Sequence, residues 1–136
     1  MPSAPAFNVL LVEPVDLLRR TVSMTLRSLG TAEVTEAPTY PTGHQFCNRR
    51  RFDGVVVALD WPHAGEQQKG LSLIQQIRAG DCTCPATTPI AVLVDSCNTE
   101  LLHVLRSCGI SRILIKPFRV RDVIETIDAM RAKKAA

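Results

Sequence analysis

Residues 54–59, Gly-Val-Val-Val-Ala-Leu, form an unbroken apolar run with three consecutive valines, launched by the turn-prone pair Asp53-Gly54 and stopped by Asp60-Trp61-Pro62. A strand with one wet face alternates polar and apolar residues, so a strand that is apolar throughout has to be covered on both faces. The run from Phe52 to Pro62 therefore predicts the central strand of a parallel sheet held between two layers of helices. Its carboxyl end opens onto a loop at the edge where open parallel sheets place their ligands.

The remaining chain repeats this unit. Phe7 to Val12 is a second apolar run, ending at Glu13-Pro14, and Val15, Leu18, Val22, Leu26 and Leu29 then recur at helical spacing until Gly30 closes the helix. Thr31 to Glu36 fits a short strand, and Pro38 to Arg51 a helix with Phe46 and Cys47 facing inward. Pro62 to Gly70 is too polar for core and reads as a long loop before a helix carrying Leu71, Ile74 and Ile77. Ile90 to Val94 is a fourth strand, and Leu101, Leu105 and Cys108 mark a helix closed by Gly109. Ile110 to Ile115 is a fifth strand ending at Lys116-Pro117-Phe118, and Val120, Val123, Ile124, Ile127 and Met130 give a last helix. Strands alternating with helices at this interval imply parallel β/α units with right-handed crossovers. The expected fold class is α/β: a five-stranded parallel sheet with five helices on both faces. Residues 1–6 read as a loose leader, 7–131 as the domain and 132–136 as a frayed tail.

With 136 residues there is room for one folded domain, and 46% hydrophobic against 21% charged residues is the balance of an ordinary globular core and surface. A net charge of +3 is too small to argue for a nucleic-acid partner. No stretch approaches the roughly 20 apolar residues of a membrane span, and the amino end lacks the order of a signal peptide, so the expected location is cytoplasmic. Five cysteines without secretory context read as reduced thiols.

The order of elements from Asn8 to Met130, with Lys116-Pro117 after the fifth strand and a proline four residues beyond Ala58, resembles the receiver domain of two-component response regulators, the flavodoxin-like or CheY-like fold. The resemblance implies the strand order 2-1-3-4-5 and a phosphoryl site at the carboxyl edge of the sheet, and the chain departs from that pattern position by position. The phosphoacceptor aspartate of the family falls on Ala58. The pair of acids that holds magnesium falls on Glu13 and Pro14, so one carboxylate is kept. The hydroxyl residue at the end of the fourth strand falls on Val94, and the aromatic before the lysine on Ile113. The phosphoryl-binding lysine is kept as Lys116, and the resemblance implies a cis bond to Pro117. Phosphoryl transfer needs an oxygen nucleophile and a cation to neutralise developing charge, and alanine supplies neither.

The resemblance thus implies a degenerate pseudo-receiver: a protein-interaction module of bacterial two-component or phosphorelay signalling, without enzymatic activity, cofactor or metal. Lys116 then needs a counter-charge, with Glu13 the natural partner and Asp95 a second. In one alternative, a two-residue shift of register keeps the same strand face and makes Asp60 the phosphoacceptor, with magnesium held weakly by Glu13 and Asp60. In another, the same cleft and the loop cysteines serve as a redox or small-ligand sensor. In receiver proteins the face of the fourth helix, fifth strand and fifth helix carries dimer or partner contacts, which places Arg106, Arg112, Arg119, Arg121 and Glu125 on an expected interaction surface. The implied partner is a protein: a histidine kinase, another regulator, a fused effector domain or a second copy.

Other features have ordinary readings. Cys82 and Cys84 are spaced Cys-x-Cys with no second pair at the interval of a zinc site, and read as exposed loop thiols. Cys97 and Cys108 join the stripe of Leu101 and Leu105 as core residues. Arg49-Arg50-Arg51 has no interleaved aromatics and reads as a solvated helix end. His44, His63 and His103 have no nucleophile beside them and read as surface residues, and Trp61 reads as a packing residue capping the old site.

Overall fold

The computed structural model describes residues 6–59 and 66–135. Its elements alternate as β1 (Asn8–Val12), α1 (Asp16–Ser28), β2 (Glu33–Ala37), α2 (Tyr40–Arg49), β3 (Gly54–Ala58), α3 (Glu66–Arg78), β4 (Ile90–Val94), α4 (Thr99–Ser107), β5 (Arg112–Ile115) and α5 (Val120–Ala135). All strand pairs are parallel and the order is β2-β1-β3-β4-β5, the predicted fold class. The central strand is buried at every residue, as is β4.

Because successive strand side chains point to opposite faces, the sheet feeds two cores. Leu10, Val12, Val55, Val57, Val92 and Val94 meet Cys47, Leu73, Ile74, Ile77, Leu101 and Leu105 from α2, α3 and α4 on one side. Val9, Leu11, Val56, Ala58, Ala91 and Leu93 meet Val22, Leu26, Val123, Ile127 and Met130 from α1 and α5 on the other.

Four local expectations are corrected. Helix α3 begins at Glu66, before Gly70. That glycine lies inside the helix because the helix passes close to its neighbours there: a Cβ would stand 2.6 Å from Leu59 Cδ2 and 3.1 Å from Tyr40 Cε1. The polar residues ahead of it form the first turn of α3, where sequence polarity alone reads as loop. Helix α5 extends through Ala135, beyond the domain boundary expected at residue 131, and Arg131 sets its guanidinium 5.5 Å from the centre of the Phe7 ring. Val15 and Leu29 are exposed because they are the caps of α1, so the buried stripe is Val22 and Leu26 with Leu18 at its margin. Helix α2 is shorter than 38–51 because Thr39 caps it, its hydroxyl oxygen accepting from the Thr42 N–H at 3.2 Å. Of the leader, only Ala6 is among the described residues.

Two arginines tie elements together. Arg19 of α1 is buried and donates to the Glu13 carbonyl at 3.0 Å, to Asp16 Oδ1 at 2.8 Å and to Glu36 Oε1 at 3.3 Å. It thereby fixes the β1–α1 turn against β2. Arg78, at the end of α3, donates to the carbonyls of Cys108 at 2.6 Å, Gly109 at 3.1 Å, Ala86 at 2.9 Å and Thr88 at 2.6 Å. Two of these acceptors lie at the carboxyl end of α4, where the orphan carbonyls and the helix dipole both favour a cation. Arg78→Met keeps the aliphatic stem and strands those carbonyls, so urea unfolding is expected to show a loss of about 2 kcal/mol.

Candidate functional site

Strands β1, β3, β4 and β5 all end at one edge of the sheet, and the residues following them define the candidate site. Val12 pairs with Val57, so the next residue in each strand places Glu13 beside Ala58. The Glu13 N–H is held by the Ala37 carbonyl at 3.1 Å, and the Lys116 N–H by the Val94 carbonyl at 2.7 Å. These backbone bonds anchor two oppositely charged side chains on either flank of β3.

Lys116 reaches back across the ends of β4 and β3 to place Nζ 2.8 Å from Glu13 Oε1. The carboxylate is fully buried and the ammonium side chain 16% exposed. The contact is close in distance but poorly aligned as a hydrogen bond, and Oε1 is left without a hydrogen-bond partner. Charge therefore holds it, in a setting where the low dielectric strengthens the attraction. Oε2 accepts the Val15 N–H at 3.3 Å. The pair that sequence reasoning favours is formed, and Asp95, the other candidate, is exposed.

Ala58 is completely buried beneath this pair. Its methyl belongs to the α1/α5 core, and its carbonyl accepts a short hydrogen bond from the Tyr40 hydroxyl. Tyr40, 1% exposed at the start of α2, has no counterpart in the sequence reading. Its ring fills the space between β3 and α3, and the hydroxyl satisfies the last carbonyl of the central strand. Val94 is fully buried and apolar, and Ile113 is half-buried. The Lys116-Pro117 peptide is cis. Asp60, Trp61, Pro62 and His63 lie outside the described residues, so the shifted register and its acceptor do as well.

A magnesium ion demands near-octahedral oxygen ligands, usually with one or two carboxylates among them. Among the described residues Glu13 is the buried carboxylate of this edge, already facing an ammonium at 2.8 Å, and Asp95 after β4 is exposed. Pro14 and Ala58 contribute no side-chain oxygen, and no cluster of three or more His, Cys, Asp or Glu among the described residues fits a metal. These residues do not suit the ion.

On the face expected for partner contacts, Arg106, Arg119, Arg121 and Glu125 are exposed, whereas Arg112 is half-buried because it lies in β5 under α5. Ile115, the last residue of β5, is 54% exposed. Cys82 and Cys84 precede β4 and so lie at the opposite edge from Glu13 and Lys116. They are not part of that cleft, and Cys84 is buried, packed in the α2/α3/α4 core instead of standing free in the loop. Cys97 and Cys108 are half-buried at the margin of that core.

No protein-family model and no curated protein sequence matches the chain. Solved structures do. The receiver domain of a Francisella response regulator superposes with a TM-score of 0.77 at 20% identity, covering 93% of this chain and 98% of that one. A chemotaxis protein of Vibrio cholerae gives 0.78 at 23% identity over 92% and 98%. A response regulator of Thermotoga maritima gives 0.77 at 23% identity over 93% and 98%. The fold is that of CheY-like receiver domains over nearly the whole chain. Among the described residues no helix is long and apolar enough to cross a membrane.

Proposed function

We propose that the chain is a receiver-type module of two-component signalling that works by binding protein partners, without aspartyl phosphorylation. The observation carrying this reading is Ala58: a fully buried methyl at the end of the central strand, roofed by an ion pair between Glu13 and Lys116. A phosphoacceptor needs a carboxylate at that point, and a phosphoryl group needs a free cation. Here the lysine is committed to Glu13, which fixes the edge in one charge-neutral arrangement. Output then follows from occupancy by a partner, such as a histidine kinase, another regulator or a second copy. The face of α4, β5 and α5, where Ile115, Arg106, Arg119 and Arg121 are exposed, is the favoured contact face.

Incubation with acetyl phosphate and magnesium, followed by intact-mass measurement, tests the reading. The expected result is an unchanged mass, with beryllofluoride and magnesium also leaving the Trp61 fluorescence unaltered. A phosphoryl adduct that maps to Asp60 would replace this reading with the phosphorelay one.

A further inference from the structure

Cys47 is far in sequence from Cys82 and Cys84 and lies beside them in the fold. Cys47 sits in the last turns of α2, fully buried. Cys84 comes from the loop between α3 and β4 and packs in the same core, 2% exposed, while Cys82 is half-buried beside them. The loop is stitched to the helix by the Thr83 N–H, which donates to the Cys47 carbonyl at 2.9 Å. Cys84 Sγ accepts the Phe52 N–H at 3.4 Å, at the point where the chain enters β3.

The environments of the two buried sulfurs differ. Hydrogen bonding from the Cys47 thiol, the Phe52 N–H and the nearby Arg51 charge pull Cys84 below the usual thiol range. Burial offsets part of that, and a hydrogen bond with Cys82 adds to it. Cys47 is pushed up, by its hydrogen bond to Cys84 and by burial. One sulfur is thus suited to be the thiolate and the other to be the resolving thiol.

We propose that Cys84 and Cys47 are a peroxide-responsive dithiol that closes to a reversible disulfide, clipping the end of α2 to the α3–β4 loop. The oxidant is a small hydroperoxide, the kind of molecule that a recessed sulfur admits. The Cys84 thiolate attacks the peroxide: an S–O bond forms, the O–O bond breaks, and the departing oxyanion takes up a proton. Cys47 then loses its proton and attacks the sulfenic sulfur, forming the S–S bond and expelling hydroxide, which leaves as water with that proton. In total the two sulfurs give up two electrons, the peroxide gains two, and the products are the disulfide, an alcohol or water, and water. Excess dithiothreitol reverses the bond by exchange. Cys82 is not consumed.

The site lies at the amino-terminal edge of the sheet, so its test is independent of the phosphorylation reading. The reduced chain at low concentration is treated with hydrogen peroxide, blocked with N-ethylmaleimide and mapped by fragmentation mass spectrometry without reduction. The expected result is a loss of two hydrogens, a cross-link joining Cys47 to Cys84, three alkylated thiols, and a thermal midpoint that rises on oxidation and falls back with dithiothreitol. Cys82→Ser should keep the cross-link, and Cys47→Ala should leave a dimedone-reactive sulfenic acid at Cys84. Five alkylatable thiols after peroxide, or a bond that uses Cys82 in place of Cys84, would overturn the proposal. Because the wild-type map decides by itself, a variant that fails to fold leaves the outcome intact.

Discussion

Lys116→Met is expected to lower the free energy of unfolding by about 3 kcal/mol, read as a thermal midpoint roughly 10 °C lower. The methionine keeps most of the volume, so the loss does not come from a cavity. It comes from Glu13, whose carboxylate is completely buried and whose Oε1 has no hydrogen bond to fall back on once the ammonium at 2.8 Å is gone. Glu13→Gln alone should cost less, because the amide is neutral and Lys116, still 16% exposed, can turn toward water. The combined Glu13→Gln and Lys116→Met variant should recover most of the stability lost in Lys116→Met, since replacing both members of a buried pair removes the uncompensated charge. A double-mutant cycle by urea unfolding checks this. Additive losses in the double variant would mean that the two charges do not interact and that the edge is not locked by them.

The parts of this edge that the sequence reveals are those set by strand order. Apolar runs at Asn8–Val12, Gly54–Ala58 and Ile90–Val94 fix which residues leave the sheet at its carboxyl side, and Glu13 and Lys116 follow β1 and β5, which lie on opposite sides of β3. Their meeting follows from topology, with no need to know any side-chain rotamer. What the sequence hides is tertiary. Tyr40 looks like any aromatic at a helix start, and only the approach of α3 at Gly70 shows that it plugs the space beside Ala58. Arg19 and Arg78 look like solvated charges on amphipathic helices, yet carbonyls from other elements collect around them. Cys84 sits in a stretch rich in turn residues, which reads as exposed, although the Phe52 N–H and the Cys47 thiol draw it into the core. In each case a local pattern is overruled by a contact distant in sequence.

Ala58→Asp is expected to turn a chain indifferent to magnesium into one that magnesium stabilises. Glu13 lies beside position 58 across the β1/β3 pairing, so the new side chain would enter an edge whose charges already balance. Added without a cation, a second carboxylate close to Glu13 leaves one excess negative charge under a single lysine, and the variant should be less stable than the wild type. Two carboxylates at the mouth of the strands are, however, the donor set that magnesium accepts. With the ion at 100 times its dissociation constant the recovery would be about 2.7 kcal/mol. A thermal scan with and without magnesium separates the cases: the wild type should show no shift and the variant a rise, with calcium less effective if the site favours compact octahedral ligation. A wild type that shifts as much as the variant would show that a carboxylate other than Glu13 already serves this edge, and the account of a fixed, charge-neutral pair would fail with it. A variant that magnesium leaves unmoved would place the new carboxylate away from Glu13, contrary to the strand register.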